Sequence, residues 1–245
     1  MGGCGRLCGA GRPILRAALI VLFFALSCAT GRAQDPEARA TIVVFGDSQA
    51  QGLAGGLARV LIEDQRYRVL NRTHPGAALV HGENEWLQPV QRFVMREKAD
   101  IAVVMFGAND RLDMREGGAY VRFRTDDWRA AYAARAGKIL TLLREAGLKV
   151  IWCGNPIARS SVYSADMSYI NDLYAEETAR FGARFVPLWT AIADDQGHYA
   201  AYGKDRFGTT QRLRGDDGIH FTAAGYELIA EKLIELLSAS AANVR

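Results

Sequence analysis

Apolar residues along the chain come in short blocks, each closed by a turn and followed by a stretch with helical spacing. Thr41-Ile42-Val43-Val44-Phe45 is apolar and rich in β-branched residues, the pattern of a strand buried on both faces. Similar runs stand at 101–106 and 148–153, with shorter ones at 67–71 and 184–188. Between them the spacing predicts helices over about 50–63, 86–97, 126–146, 165–181 and 223–238. Asp126 and Thr222 stand where caps are needed, and Gly147 where a helix should end. Pro89 fits the first turn of its helix and little beyond. Gly52, Gly55 and Gly56 cost helix propensity, so a close approach of helix to sheet is expected there. Residues 111–125 read as a polar, irregular surface loop, and 190–219 are long enough for a loop to be functional.

Strands alternating with helices predict a three-layer α/β/α sandwich around a central, mostly parallel five-stranded sheet of flavodoxin-like class. One domain over 41–240, after a polar linker at 34–40, accounts for all of them. The turns at 46–48, 73–76, 107–110 and 154–156 each follow a strand, so all four fall on the carboxyl edge of the sheet. That edge is where open α/β folds bind ligands.

The first 33 residues read differently. Arg6, Arg12 and Arg16 precede the uncharged apolar run Ala17–Ser27, and Gly31-Arg32-Ala33 offers small residues around a cleavage point. This has the form of a secretory signal peptide and is too short to span a bilayer, so a periplasmic or secreted protein is expected. Lipidation at Cys28 is a second option, with a lipobox that lacks the usual Leu. Without the four leader arginines, the 30 basic residues become 26 against 27 acidic ones, and the case for nucleic acid as a partner disappears. Cys153 is then the one thiol left in the fold and reads as a small buried hydrophobe.

The candidate chemistry lies on the turns. Ser48 follows the first strand at a helix N-terminus, exposed and beside free N–H groups, which suits a nucleophile or, equally, a cap. Asp217 and His220 are three apart, so one turn of chain can join carboxylate to imidazole. The chain has four histidines, at 74, 81, 198 and 220. Ser48, His220 and Asp217 together supply nucleophile, base and orienting acid. Oxyanion donors would be the Ser48 N–H, the Gly76 N–H and the Asn109 amide, although Gly76 and Asn109 also suit ordinary turns. Arg111 and Arg214 either hold an anionic substrate group or serve as structural ion-pair partners. Trp128, Trp152, Trp189 and Tyr199 are spaced mainly as core residues. No Gly-x-Ser-x-Gly elbow, intact phosphate loop or zinc-ligand spacing occurs, and no metal or cofactor is implied.

Gly46-Asp47-Ser48, Gly76, Gly107-Ala108-Asn109-Asp110 and Asp217-Gly218-Ile219-His220 occur in the order of the four blocks of the SGNH (GDSL-type) hydrolases. Over Thr41 to Leu237 the chain resembles that family, and in particular an exported bacterial branch of it. The resemblance implies the SGNH hydrolase fold and a serine esterase with Ser48 as nucleophile, His220 as base and Asp217 behind it. It implies Ser48, Gly76 and Asn109 as the oxyanion hole, with the glycine block the least well matched. The expected substrate is an acyl ester, acetyl for preference, on a cell-envelope or extracellular polysaccharide. An O-acyltransferase with the same triad is one alternative, marked by acceptor-dependent turnover. A non-catalytic polysaccharide-binding or assembly protein is the other, marked by glycan affinity without esterase activity.

Overall fold

A computed structural model describes residues 39–242 of the chain. The leader-like segment and Cys28 lie outside the described residues. In chain order the elements are β1 (Ala40–Gly46), α1 (Ser48–Val60), β2 (Tyr67–Asn71), α2 (Glu83–Arg96), β3 (Ile101–Met105), β4 (Met114–Glu116), β5 (Ala119–Val121), α3 (Asp126–Glu145), β6 (Lys149–Cys153), α4 (Ser161–Arg180), β7 (Arg184–Val186), β8 (Tyr202–Lys204), β9 (Thr210–Arg212) and α5 (Ala223–Ala242).

The five apolar blocks form one sheet in the order β2-β1-β3-β6-β7, and every neighbouring pair is parallel. Successive side chains point to opposite faces of a strand, and the core divides accordingly. Val43, Phe45, Ala102, Val104, Val150 and Trp152 join the cluster that takes in residues of α2, α3 and α4. Ile42, Val44, Ile101, Val103, Met105, Ile151 and Cys153 join the one that takes in residues of α1 and α5. The result is the predicted three-layer α/β/α sandwich. Cys153 is a buried free thiol, and burial pushes its pKa up to about 12.

The chain steps outward from β1 to β2 and then returns past β1 to β3, so strand order reverses between β1 and β3. Such a switch point opens a crevice at the carboxyl ends of the strands, here Gly46 opposite Met105. Gly46 has φ +143°, and any β-carbon on it would overlap the Met105 carbonyl.

Several local expectations need correction. The glycines of α1 serve a helix–helix contact with α5, and the sheet is not involved. A β-carbon at Gly52 would overlap the Tyr226 ring, and one at Gly56 the Tyr226 backbone, whereas Gly55 meets only Arg59. Pro89 lies in the second turn of α2, which starts at Glu83, and so forgoes one helical hydrogen bond there. Thr125, not Asp126, caps α3, accepting the Trp128 N–H at 3.3 Å. Helix α4 starts at Ser161, capped by Ser160, rather than at 165. The stretch 111–125 contains the β4–β5 hairpin, and 190–219 contains the β8–β9 hairpin. Gly147 closes α3 as expected, with φ +82° and the Leu148 N–H reaching back to the Leu143 carbonyl. No helix among the described residues is long and apolar enough to cross a membrane.

Candidate active site

Helix α1 begins directly at Ser48 because Asp47 caps it, accepting the Gln49 N–H at 2.9 Å. The first N–H groups of a helix have no intrahelical partner, and Ser48 sits among them, half-buried, at the end of β1. Its Oγ lies 2.7 Å from His220 Nε2. His220 Nδ1 in turn lies 2.5 Å from Asp217 Oδ2. The two residues reach Ser48 from a tight turn in which Asp217 Oδ1 also accepts the Ile219 and His220 N–H groups, at 2.9 and 3.0 Å.

These bonds fix the protonation pattern. Burial works against the Asp217 charge, but the His220 ring and the two N–H groups outweigh it and lower the pKa to about 2. At neutral pH Asp217 is therefore a carboxylate and can only accept, so Nδ1 carries the proton of the neutral ring. Nε2 then presents its lone pair to the Ser48 hydroxyl. The arrangement can remove a proton from Ser48 and hold the imidazolium that forms.

The third strand supplies the opposite wall. Asn109 donates its amide to the Ala77 carbonyl at 3.2 Å, which uses one of its two N–H groups. Gly76 lies beside that contact in the turn His74–Ala77, where Ala77 N–H reaches the His74 carbonyl at 2.9 Å. Pro75 and a Gly76 at φ +83° are the residues a type II turn requires. His74 N–H donates to the Gly46 carbonyl at 2.8 Å, which stitches this turn to the one that carries Ser48. Gly107 packs so closely on Asn155 that a β-carbon would overlap its amide, and Asn155 also donates to the Phe106 carbonyl at 3.1 Å.

Two buried carboxyls stand behind these turns. Burial raises Asp47 to about 6, against hydrogen bonds from Gln49 and Ala108. Burial likewise raises Asp110 to about 7, although it accepts the Val80 N–H at 2.9 Å and the Tyr132 hydroxyl is near.

The two candidate arginines stand in different surroundings. Arg111 is an ion-pair partner, 2.7 Å from Asp166. Arg214 is fully buried, so it is not a surface contact for substrate, and among the described residues no carboxylate pairs with it. Its guanidinium lies 4.0 Å from the Phe221 ring centroid and 4.9 Å from that of Tyr199, and it donates to the Ile219 carbonyl at 3.1 Å. Burial lowers its pKa to about 10, so it stays charged. Trp128 and Trp152 are core residues.

Sequence reasoning passed over Tyr163 and Arg159. Tyr163 donates its hydroxyl to the Ala108 carbonyl at 3.0 Å, and Arg159 donates its N–H to Gly218 at 3.0 Å. The segment at the start of α4 thus braces both walls of the site. No motif marks these residues, because their partners are backbone atoms. A groove of about 680 Å³ lies elsewhere, against α3, lined by Leu87, Ala134, Leu142 and Phe181 among others, and contains none of these residues.

Solved structures with this fold include several named as esterases and lipases. An acetyl xylan esterase, AlAXEase, superposes with a TM-score of 0.58 at 16% identity, over 80% of this chain and 98% of that one. A GDSL-like lipase from Bacteroides thetaiotaomicron gives 0.55 at 14% identity, over 82% and 88%. A catalytic mutant of the acetylxylan esterase Axe2 from Geobacillus stearothermophilus gives 0.55 at 13%, over 81% and 95%. No curated protein matches the chain in sequence. The model of one family, described as a protein of unknown function (DUF459), matches residues 41–236. The chain belongs to this DUF459 family, and its fold is that of the SGNH hydrolases.

Proposed function

We propose that the protein is an exported serine esterase that removes an acyl group, acetyl for preference, from a cell-envelope or extracellular polysaccharide. The observation that carries this reading is the unbroken chain of short contacts from Ser48 Oγ through His220 to Asp217. Binding alone requires no such relay.

In this reading Ser48 Oγ attacks the ester carbonyl carbon while its proton passes to His220 Nε2. The oxyanion is met by the Ser48 N–H, the free Asn109 N–H and the Gly76 N–H. Collapse expels the alcohol, which takes the proton back from His220, and leaves the acyl group on Ser48. Water, deprotonated by His220, then releases the acid. Asp217 stays ionised throughout and steadies the imidazolium. The names of the acetyl xylan esterases sharing the fold support the acetyl choice, and the leader-like residues 1–33 support export.

The test is hydrolysis of p-nitrophenyl esters from acetate to octanoate. Rapid acetate cleavage that fades with chain length supports the reading. No release from any ester, with acyl transfer to an added sugar, would replace it with a transferase.

A further inference from the structure

Three arginines around the site have a single carboxylate partner among them. Arg111 Nε meets Asp166 Oδ2 at 2.7 Å, and Arg124 Nη1 meets Oδ1 of the same carboxylate at 3.1 Å. Asp166 is buried, so one fixed negative charge is shared by two guanidiniums whose side chains remain 34% and 48% exposed. Arg159, also exposed, donates to the Asp216 carbonyl at 2.5 Å, and among the described residues no carboxylate lies within ion-pair distance of it. The nearby acids make their close contacts with other groups. Asp216 pairs with Arg212, Asp217 with His220, and Asp113 accepts the Phe123 N–H.

Arg111 and Arg159 are tied to the turns that carry Asn109 and His220. Arg111 lies 4.9 Å from the ring centroid of Tyr163, whose hydroxyl holds the carbonyl preceding Asn109. Arg159 is bound through its own N–H to Gly218, between Asp217 and His220. Arg124, at φ +66°, is the one non-glycine with positive φ among the described residues. Such a conformation costs energy and persists only where its surroundings hold it. Forked guanidiniums on aromatic supports, left with unused N–H groups, match the geometry of a carboxylate.

We propose that Arg111, Arg124 and Arg159 form a carboxylate-recognition subsite, so that the preferred ester carries a carboxylate on its alcohol side. The inference rests on the esterase reading for its location and names the substrate class: an acyl ester of an acidic alcohol such as a uronic-acid sugar.

The experiment compares 4-acetoxybenzoate with its uncharged analogue 4-acetoxybenzamide, binding each to full-length Ser48→Ala by NMR titration. Binding is read whether or not the wild type turns over either ester, so failure of the hydrolase reading shows separately, as absent turnover. The carboxylate should bind at least fivefold tighter. That advantage should shrink as salt rises from 0.02 to 0.5 M, since exposed charges are screened. Adding Arg111→Gln or Arg159→Gln to the Ser48→Ala chain should remove most of the advantage. Equal affinity for the two compounds, or an advantage that survives both arginine replacements, overturns the proposal.

Discussion

Asp47 accepts the backbone N–H of Ala108 at 3.2 Å, a bond that spans the sheet's switch point and joins the Ser48 turn to the Asn109 turn. The same carboxyl caps α1 through Gln49. Asp47→Ala removes the cap and leaves the Ala108 N–H without its partner, effects of about 1 and about 1–3 kcal/mol respectively. Relief from burying the carboxylate offsets part of this, so a net loss of about 2 kcal/mol is expected. Urea unfolding measures it, and turnover should fall along with it. Full activity with unchanged stability would show that the two turns do not depend on this bond.

Asp110 gives the protein a pH dependence of defined sign. Its folded pKa, about 7, is above the ordinary 3.8, so the native state keeps a proton that the unfolded chain releases. Its contribution to stability is therefore greatest in acid and falls as pH rises from about 4 through 7. Asp110→Asn keeps an acceptor for the Val80 N–H and removes the charge. The variant's stability relative to the wild type should be greater at pH 8 than at pH 4.5 by about 3 kcal/mol. Thermal unfolding at the two pH values decides, and an equal difference at both would contradict this account.

Asn109 separates oxyanion binding from turn architecture. Losing an oxyanion donor costs about 10²–10³ in kcat, whereas losing the bond to Ala77 costs about 1 kcal/mol of stability. Asn109→Ala should show the large kinetic loss with a small shift in Tm. A tenfold loss accompanied by a matching fall in stability would assign the residue to the turn.

The strands and the Asp217–His220 pair were legible because each is written locally. Ile42-Val43-Val44 has the β-branched apolar pattern of a doubly buried strand, and Asp217 and His220 need one turn of chain to meet. What was hidden depends on partners far along the chain. Gly52 and Gly56 are small because Tyr226 of α5 lies against them, some 170 residues away. Arg214 looks like a surface charge in sequence, yet the rings of Phe221 and Tyr199 enclose it. Tyr163 and Arg159 act on backbone carbonyls, which every residue possesses, so no spacing announces them.

Arg214 braces the loop that aims His220, through the Ile219 carbonyl and a longer contact to that of Gly218 at 3.4 Å. Replacing a buried, unpaired charge by an apolar side chain of similar size costs little stability. Displacing a catalytic group by about an ångström can cost up to about a hundredfold in rate. Arg214→Met should therefore lower kcat by about ten- to a hundredfold with little change in KM or Tm. A rise in KM with kcat unchanged would instead mark Arg214 as a substrate contact.

The central claim is that His220 and Asp217 make Ser48 a nucleophile. A fluorophosphonate, which phosphonylates activated serines, tests it directly when the labelled protein is digested and the modified residue is located by mass spectrometry. The account predicts one adduct, on Ser48, formed with saturating kinetics, absent from Ser48→Ala and strongly slowed in His220→Ala. An unlabelled Ser48 in folded protein, or equal labelling with and without His220, would contradict it.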